Sequence, residues 1–191
     1  MGAVTLTSDW PPADGPLTVA DLERTPDDGR RYELVDGVLI VSPAPLIPHQ
    51  VVLLELSVLL DASLPDDLAV VPGVGVRMSD ITELVPDLVV VHRRDLAGPK
   101  LTLPPLLAVE VRSRSTALFD MNTKKAVYER YGIGSYWIVV PDRERPALAA
   151  FELRDGKYEQ IAHVVGEEEF LAQQPFSVRF VPDRLVARLP R

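Results

Sequence analysis

The chain contains no cysteine. That absence excludes a disulfide framework, a thiolate zinc site and a cysteine nucleophile. It also sets the expectation of a reducing, cytoplasmic location. Aromatic residues are sparse, at 6%, and no RNA-binding aromatic signature occurs. Long apolar runs are missing as well. Val51 to Leu60 is interrupted by Glu55, and Leu84 to Val91 by Pro86 and Asp87. Both fall well short of the ~20 apolar residues of a membrane span. The opening MGAVTLTSDWPP has neither the basic flank nor the apolar stretch of an export signal. There is no glycine-rich phosphate loop, dinucleotide fingerprint or serine nucleophile elbow, so no small-molecule cofactor is expected. The three histidines are too scattered for a local zinc motif.

What is present is an ordinary globular composition. The 191 residues are 47% hydrophobic and 25% charged, a length that suits one domain able to bury its own core. The formal net charge is -8 and the pI near 4.9, which argues against a sequence-independent nucleic-acid coat protein. The charge is uneven. Residues 1–90 carry 15 acids and 4 bases, whereas residues 91–150 carry 6 acids and 10 bases. A local basic surface is therefore compatible with the acidic total, as is a simple solvated face.

Residues 1–30 read as an acidic, proline-rich arm holding Pro11, Pro12, Pro16 and Pro26, with a short helical turn at Thr18–Arg24. Residues 31–191 read as a single domain. Tyr32–Val35 and Val38–Val41 flank Asp36-Gly37, a strong hairpin signal. After the SPAPLIP loop, an apolar helix is expected over His49–Ser63. Leu68–Met78 reads as a strand pair or a bent strand, and Leu84–Val91 and Leu106–Arg112 as strands covered on both faces. A helix over Thr116–Tyr131, a strand over Ser135–Val140 and a second Asp-Gly hairpin, Ala147–Leu153 with Lys157–Val164, follow. One or two short strands end the chain. This order predicts a mixed β-sheet with packed helices, an α/β (α+β) domain.

Several polar residues stand out by position. Asp87 opens an apolar run, on one strand face with Val89 and Val91, and Glu110 lies inside another, on one face with Leu106, Ala108 and Arg112. A carboxylate there must be paired, hydrogen-bonded or metal-bound, and a divalent cation would relieve the repulsion between two on adjacent strands. A turn role for Asp87, and pairing of Glu110 with Arg112 or Arg114, are the plainer readings. Lys124 falls in the middle of the apolar stripe of its helix, with Val127, Tyr128 and Tyr131. It must reach an anion or snorkel outward, and Asp120, one turn back, is one available partner. Glu33 shares a hairpin face with Val35, and His49 starts the first long helix.

The segments RYELVDGVLIVSPAPLIPHQ, VPDLVVV, LLAVEVRSRST and DMNTKKAVYERYGIGSYWIVVPD, in that order over residues 31–160, resemble the Uma-two family of bacterial endonucleases. That family belongs to the PD-(D/E)XK superfamily. The resemblance implies a restriction-endonuclease-like mixed β-sheet flanked by helices, with added β-hairpins. It implies a Mg²⁺- or Mn²⁺-dependent endodeoxyribonuclease that hydrolyses phosphodiester bonds in DNA and acts as a homodimer. It makes Asp87 and Glu110 the metal-binding acids, helped by a backbone carbonyl near Val111. Glu33 completes the site and Lys124 is the catalytic lysine, displaced from the third motif position, where Arg112 stands. His49, Arg112, Ser113, Asp120 and Tyr128 become supports. The family usually reads W-I-V-D-P where this chain has Trp137-Ile138-Val139-Val140-Pro141. An alternative is a nuclease-fold module, weakly active or inactive, that binds DNA or protein partners; a third possibility is an RNA nuclease.

Overall fold

The structure is a computed structural model, and it describes residues 15–112 and 119–190, with the side chains of 119–121 left out. Two sheets hold ten of the twelve strands among the described residues. The larger has six strands in the order β10-β9-β8-β7-β6-β3, formed by β3 (Leu68–Pro72), β6 (Leu88–His92), β7 (Leu107–Val111), β8 (Ser135–Val140), β9 (Ala147–Arg154) and β10 (Lys157–Val165). Within this sheet, among the described residues, only β7 and β8 pair in parallel; their crossover carries the helix α3 (Lys125–Arg130). The smaller sheet, in the order β2-β1-β5-β4, holds β1 (Arg31–Val35), β2 (Val38–Ser42), β4 (Val76–Ser79) and β5 (Thr82–Leu84). A third pair, β11 (Phe170–Ala172) and β12 (Val178–Phe180), precedes the short helix α4 (Pro182–Val186). The mixed α/β class expected from the element order is the one observed.

The two faces of the large sheet are covered differently. Leu88, Val90, Leu107, Val109, Val111 and Trp137 project to one face and pack on the helix α2 (Ile47–Asp61), on α4 and on the β11–β12 pair. There the Trp137 and Phe170 rings meet edge to face at 4.9 Å. Ala108, Tyr136, Ile138 and Phe151 project to the other face, against α3 and the small sheet. This alternation is the period of two that strands impose. It sends Glu110 to the second face with Ala108, between the large sheet, the small sheet and α3.

Both Asp-Gly hairpins form. Asp36 and Asp155 have φ of 49°, and the following glycines 80° and 76°, the left-handed pair that a tight hairpin turn requires. Thr18 caps α1 (Val19–Leu22), with Asp21 completing a capping box, and the buried Val19 and Leu22 pack with Leu34. Among the described residues, no helix is long and apolar enough to cross a membrane.

Three expectations change. Leu84–Val91 is not one strand. Pro86 cannot donate to a ladder, and the chain leaves β5 of the small sheet at Leu84 and enters β6 of the large one at Leu88. Leu68–Met78 likewise divides into β3 and β4, one in each sheet. The helix expected over Thr116–Tyr131 is, in its described part, a π-helical turn over Phe119–Lys124 leading into α3. The tail also adds α4, which its five residues do not announce.

Candidate active site

The crossing from β5 to β6 puts Asp87 where the two sheets converge. Leu88 pairs with Val109 across the β6–β7 ladder, so the same antiparallel register, one residue on, sets Asp87 opposite Glu110. Asp87 is buried, and both oxygens of its carboxylate have partners. One oxygen accepts from Arg31 Nη1 at 2.8 Å; the other accepts from the Val111 backbone N–H at 2.8 Å and meets His49 Nε2 at 2.9 Å. Burial by itself would push this carboxyl group up. The His49 hydrogen bond and the charges of Arg31, His49 and Lys124 outweigh burial and hold it at about 2.

Glu110 and Glu33 share one cation. Lys124 Nζ lies 3.0 Å from Glu110 Oε1 and 2.9 Å from Glu33 Oε1, with all three side chains buried. Tyr128, one helical turn beyond Lys124, donates its hydroxyl to the same Glu110 oxygen at 2.7 Å. Burial, and then the charges of Glu110 and Glu33, hold the Tyr128 hydroxyl well above its ordinary range, so it remains a donor. The Val85 N–H donates to Glu33 Oε1 at 2.8 Å. Among the described residues, the cluster thus sets three carboxylates against two permanent cations, Arg31 and Lys124.

The expected residues converge from five elements. Glu33 comes from β1, His49 from the first turn of α2, Asp87 from the approach to β6, Glu110 from β7, and Lys124 and Tyr128 from the helical segment after β7. Val111 is present through its N–H. Arg112, the residue after β7, is half-buried and donates its N–H to the Val139 carbonyl at 2.7 Å. Ser113 and the Asp120 side chain lie outside the described residues. His49 holds Asp87 through Nε2, while its Nδ1 is buried with no hydrogen-bond partner among the described residues.

Sequence reasoning missed Arg31. The signal was available, because Arg31 stands two residues before Glu33 on a strand and so shares its face. Arg31 also donates to the Val85 carbonyl at 3.2 Å and lines a cleft of about 370 Å³ with Arg30, Tyr32, Glu83 and Lys100.

The donor set has the chemistry of a hard divalent cation site, with buried carboxylate oxygens and one more acid than cation. Among the described residues, no group of three or more His, Asp or Glu side chains is arranged to hold a metal. Mg²⁺ asks for less than that. It is commonly held by one or two carboxylates, with water and substrate phosphate filling the remaining positions. Asp87 and Glu110, opposite each other on adjacent strands, fit that pattern.

A mixed sheet that delivers two acids from neighbouring strands, with a lysine from the following helical segment, defines a restriction-endonuclease-like domain. The family described as "Putative restriction endonuclease", Uma2, matches residues 19–184, and the chain belongs to it. No curated protein matches the sequence. Among solved structures, the chain is similar to a protein from Anabaena variabilis ATCC 29413 described as a putative nuclease belonging to DUF820. That match has a TM-score of 0.73 and 15% sequence identity, and it covers 90% of this chain and 98% of the other. At that identity the likeness establishes the fold. Together the family and the fold make this a nuclease-like protein.

Proposed function

We propose that the protein is a metal-dependent endonuclease that hydrolyses phosphodiester bonds in DNA, working in the cytoplasm as a homodimer. The observation that carries this reading is the buried Lys124, held between Glu110 and Glu33 beside Asp87. A lysine this desolvated costs free energy that a purely structural core would avoid with an apolar side chain.

Asp87 and Glu110 would hold Mg²⁺ or Mn²⁺, with Glu33 and the Val111 carbonyl as further oxygen donors. When bound, the ion supplies a lowered water pKa and charge neutralisation at the scissile phosphate. Lys124 contributes a directed N–H donor to the attacking water or to the charge that develops on phosphorus oxygens. Tyr128 fixes the Glu110 carboxylate that orients Lys124. His49 and Arg31 hold Asp87 ionised and in one rotamer, and Arg31 also faces the cleft through which a phosphate backbone can approach. Arg112, Ser113 and Asp120 remain candidate supports.

The test is titration calorimetry of Mn²⁺ into metal-free protein, wild type beside Asp87→Ala, followed by cleavage of supercoiled plasmid, single-stranded DNA and RNA at one stated salt concentration. Binding and cleavage that both vanish in the variant support the proposal. A second reading has its own observation: Arg31 and Lys124 already neutralise most of the acids, as in a nuclease-fold module that binds partners without cutting. Wild-type protein that retains DNA but neither binds Mn²⁺ nor cleaves would favour it.

A further inference from the structure

Glu83 is a buried charge that the candidate active site does not use. It stands opposite Leu34 in the β1–β5 pairing, and so on the other sheet face from Glu33. Lys100 Nζ lies 2.8 Å from one of its carboxylate oxygens and 3.1 Å from the other. The lysine is fastened through its main chain as well. The Leu101 N–H donates to the Gly75 carbonyl at 2.9 Å, and the Arg77 N–H donates to the Leu101 carbonyl at 2.8 Å. Gly75 leaves room for the pair, because a Cβ there would stand 3.2 Å from Glu83 Oε1 and 3.5 Å from Lys100 Cγ. A buried ion pair is a weak source of stability compared with apolar packing, so its use here calls for another reason.

Lys100 opens into the cleft of about 370 Å³ that Arg31 and Val85 also line. One arrangement occurs twice around it. The Arg31 side chain is 27% exposed in front of Asp87 at 3%, and the Lys100 side chain is 30% exposed in front of Glu83 at 4%. Each acid sits behind and each cation faces the cleft. The geometry points to a phosphate subsite, in which Lys100 holds the backbone phosphate next to the scissile one and Glu83 positions Lys100. This rests on the nuclease reading, since Arg31 joins the cleft to Asp87. An ammonium carries three donors around one nitrogen, and Glu83 covers only one side of it. A lysine already held in place also loses less freedom when it binds. Two anchored cations along one cleft suit consecutive phosphates of a strand better than a single free anion. The volume lies near the lower end of the ~300–1,000 Å³ of small-ligand sites, a size for one nucleotide. The acids Glu23, 3.7 Å from Lys100, and Asp27 are exposed, where salt screens their repulsion.

Fluorescence anisotropy of a short labelled DNA duplex in EDTA, over a series of sodium chloride concentrations, tests the inference on the full chain. Lys100→Met/Glu83→Gln removes one charge of each sign and leaves no unpaired buried acid, so thermal melting should show it folded. It should bind about tenfold more weakly than the wild type. The slope of log K against log salt should become shallower by ~0.9, the value for one lost phosphate contact. Net charge is unchanged, so a general electrostatic effect predicts no such loss. Arg154→Met/Glu152→Gln, the same exchange at a surface pair on β9, should bind as the wild type does. Lys100→Arg should keep the slope, and Glu83→Gln alone should weaken binding although it makes the chain less acidic. Unchanged affinity and slope in the Lys100→Met/Glu83→Gln variant overturn the inference. So do tighter binding by Glu83→Gln, an equal loss in the β9 variant, and a wild type that does not retain the duplex. Inorganic phosphate or deoxyadenosine monophosphate that binds through Lys100 while duplex binding does not depend on it would mark a free-nucleotide site, and overturns it too. Binding in EDTA is read without metal or cleavage. A chain that grips DNA through Lys100 but never cuts would fail the nuclease reading alone. Metal-dependent cleavage with undiminished DNA binding in the Lys100→Met/Glu83→Gln variant would fail this inference alone.

Discussion

Lys124 is the residue on which the site turns. It faces two buried carboxylates, so deleting its charge removes the cation that both share. Lys124→Ala should lower unfolding stability by about 3–5 kcal/mol in urea titrations and remove any cleavage. Adding Glu33→Gln to that variant should restore part of the stability, because one unpaired charge disappears. Asp87 governs the acid side of the stability profile. Its folded pKa, about 2, lies below the ordinary carboxylate value of 3.8. It therefore contributes stability that is fully present above about pH 4 and lost as pH falls towards 2. The amount is roughly 2 kcal/mol. Asp87→Asn should flatten stability over that window, as followed by unfolding at stepped pH. The apolar pattern singled out Asp87, Glu110 and Lys124, because a charge inside an apolar run is a local anomaly, whereas Glu33, His49 and Tyr128 took site roles only through the family resemblance. That Lys124 reaches Glu110 depends on a contact between residues 14 apart in the chain, which periodicity does not encode.

Local chemistry decided the elements where the chain turns on itself. Both Asp-Gly hairpins were legible because a two-residue turn is specified by the φ those residues tolerate. The two turns should nevertheless respond differently to mutation. A Cβ at Gly37 would collide with Cβ of Pro16, and the Gly37 N–H and carbonyl bond Ile81 and Leu17. At Gly156 nothing lies within 4 Å. Gly37→Ala should therefore cost clearly more than the ~1 kcal/mol of backbone strain expected for Gly156→Ala, as measured by thermal melts of the two variants. The break at Pro86 was visible as a residue and still misread as part of one strand. Val85, Pro86 and Asp87 carry the chain between two sheets, and no local signal says that a second sheet exists. The short helix α4 was illegible for a related reason. Five residues have little propensity of their own, and α4 exists because Leu185 and Val186 complete the core beneath Trp137.

For the whole molecule, ligand binding and folding are linked. If a divalent ion binds only the folded site, it stabilises by RT ln(1 + [L]/Kd), or about 2.7 kcal/mol at one hundred times Kd. Mn²⁺ should raise the melting temperature of the wild type and leave Asp87→Ala unchanged in differential scanning calorimetry. Sodium chloride at matched ionic strength should not reproduce the shift. With a net charge of -8, any DNA binding should weaken with salt along a slope set by the number of phosphates that local basic side chains contact.

The sequence by itself determined the mixed α/β class, the hairpins, the absence of thiol chemistry and the small set of polar residues placed against the apolar pattern. These are local properties, set by side-chain period, turn φ and residue chemistry. Only the tertiary structure decided that Asp87 stands opposite Glu110, that Arg31 closes on Asp87 from another sheet, and that Lys124 is shared by two acids. The folded chain was also needed to separate the exposed face of α2 from its buried one, since both are apolar in sequence. Each of these depends on strand register and sheet convergence, which arise from the simultaneous packing of segments far apart in the chain.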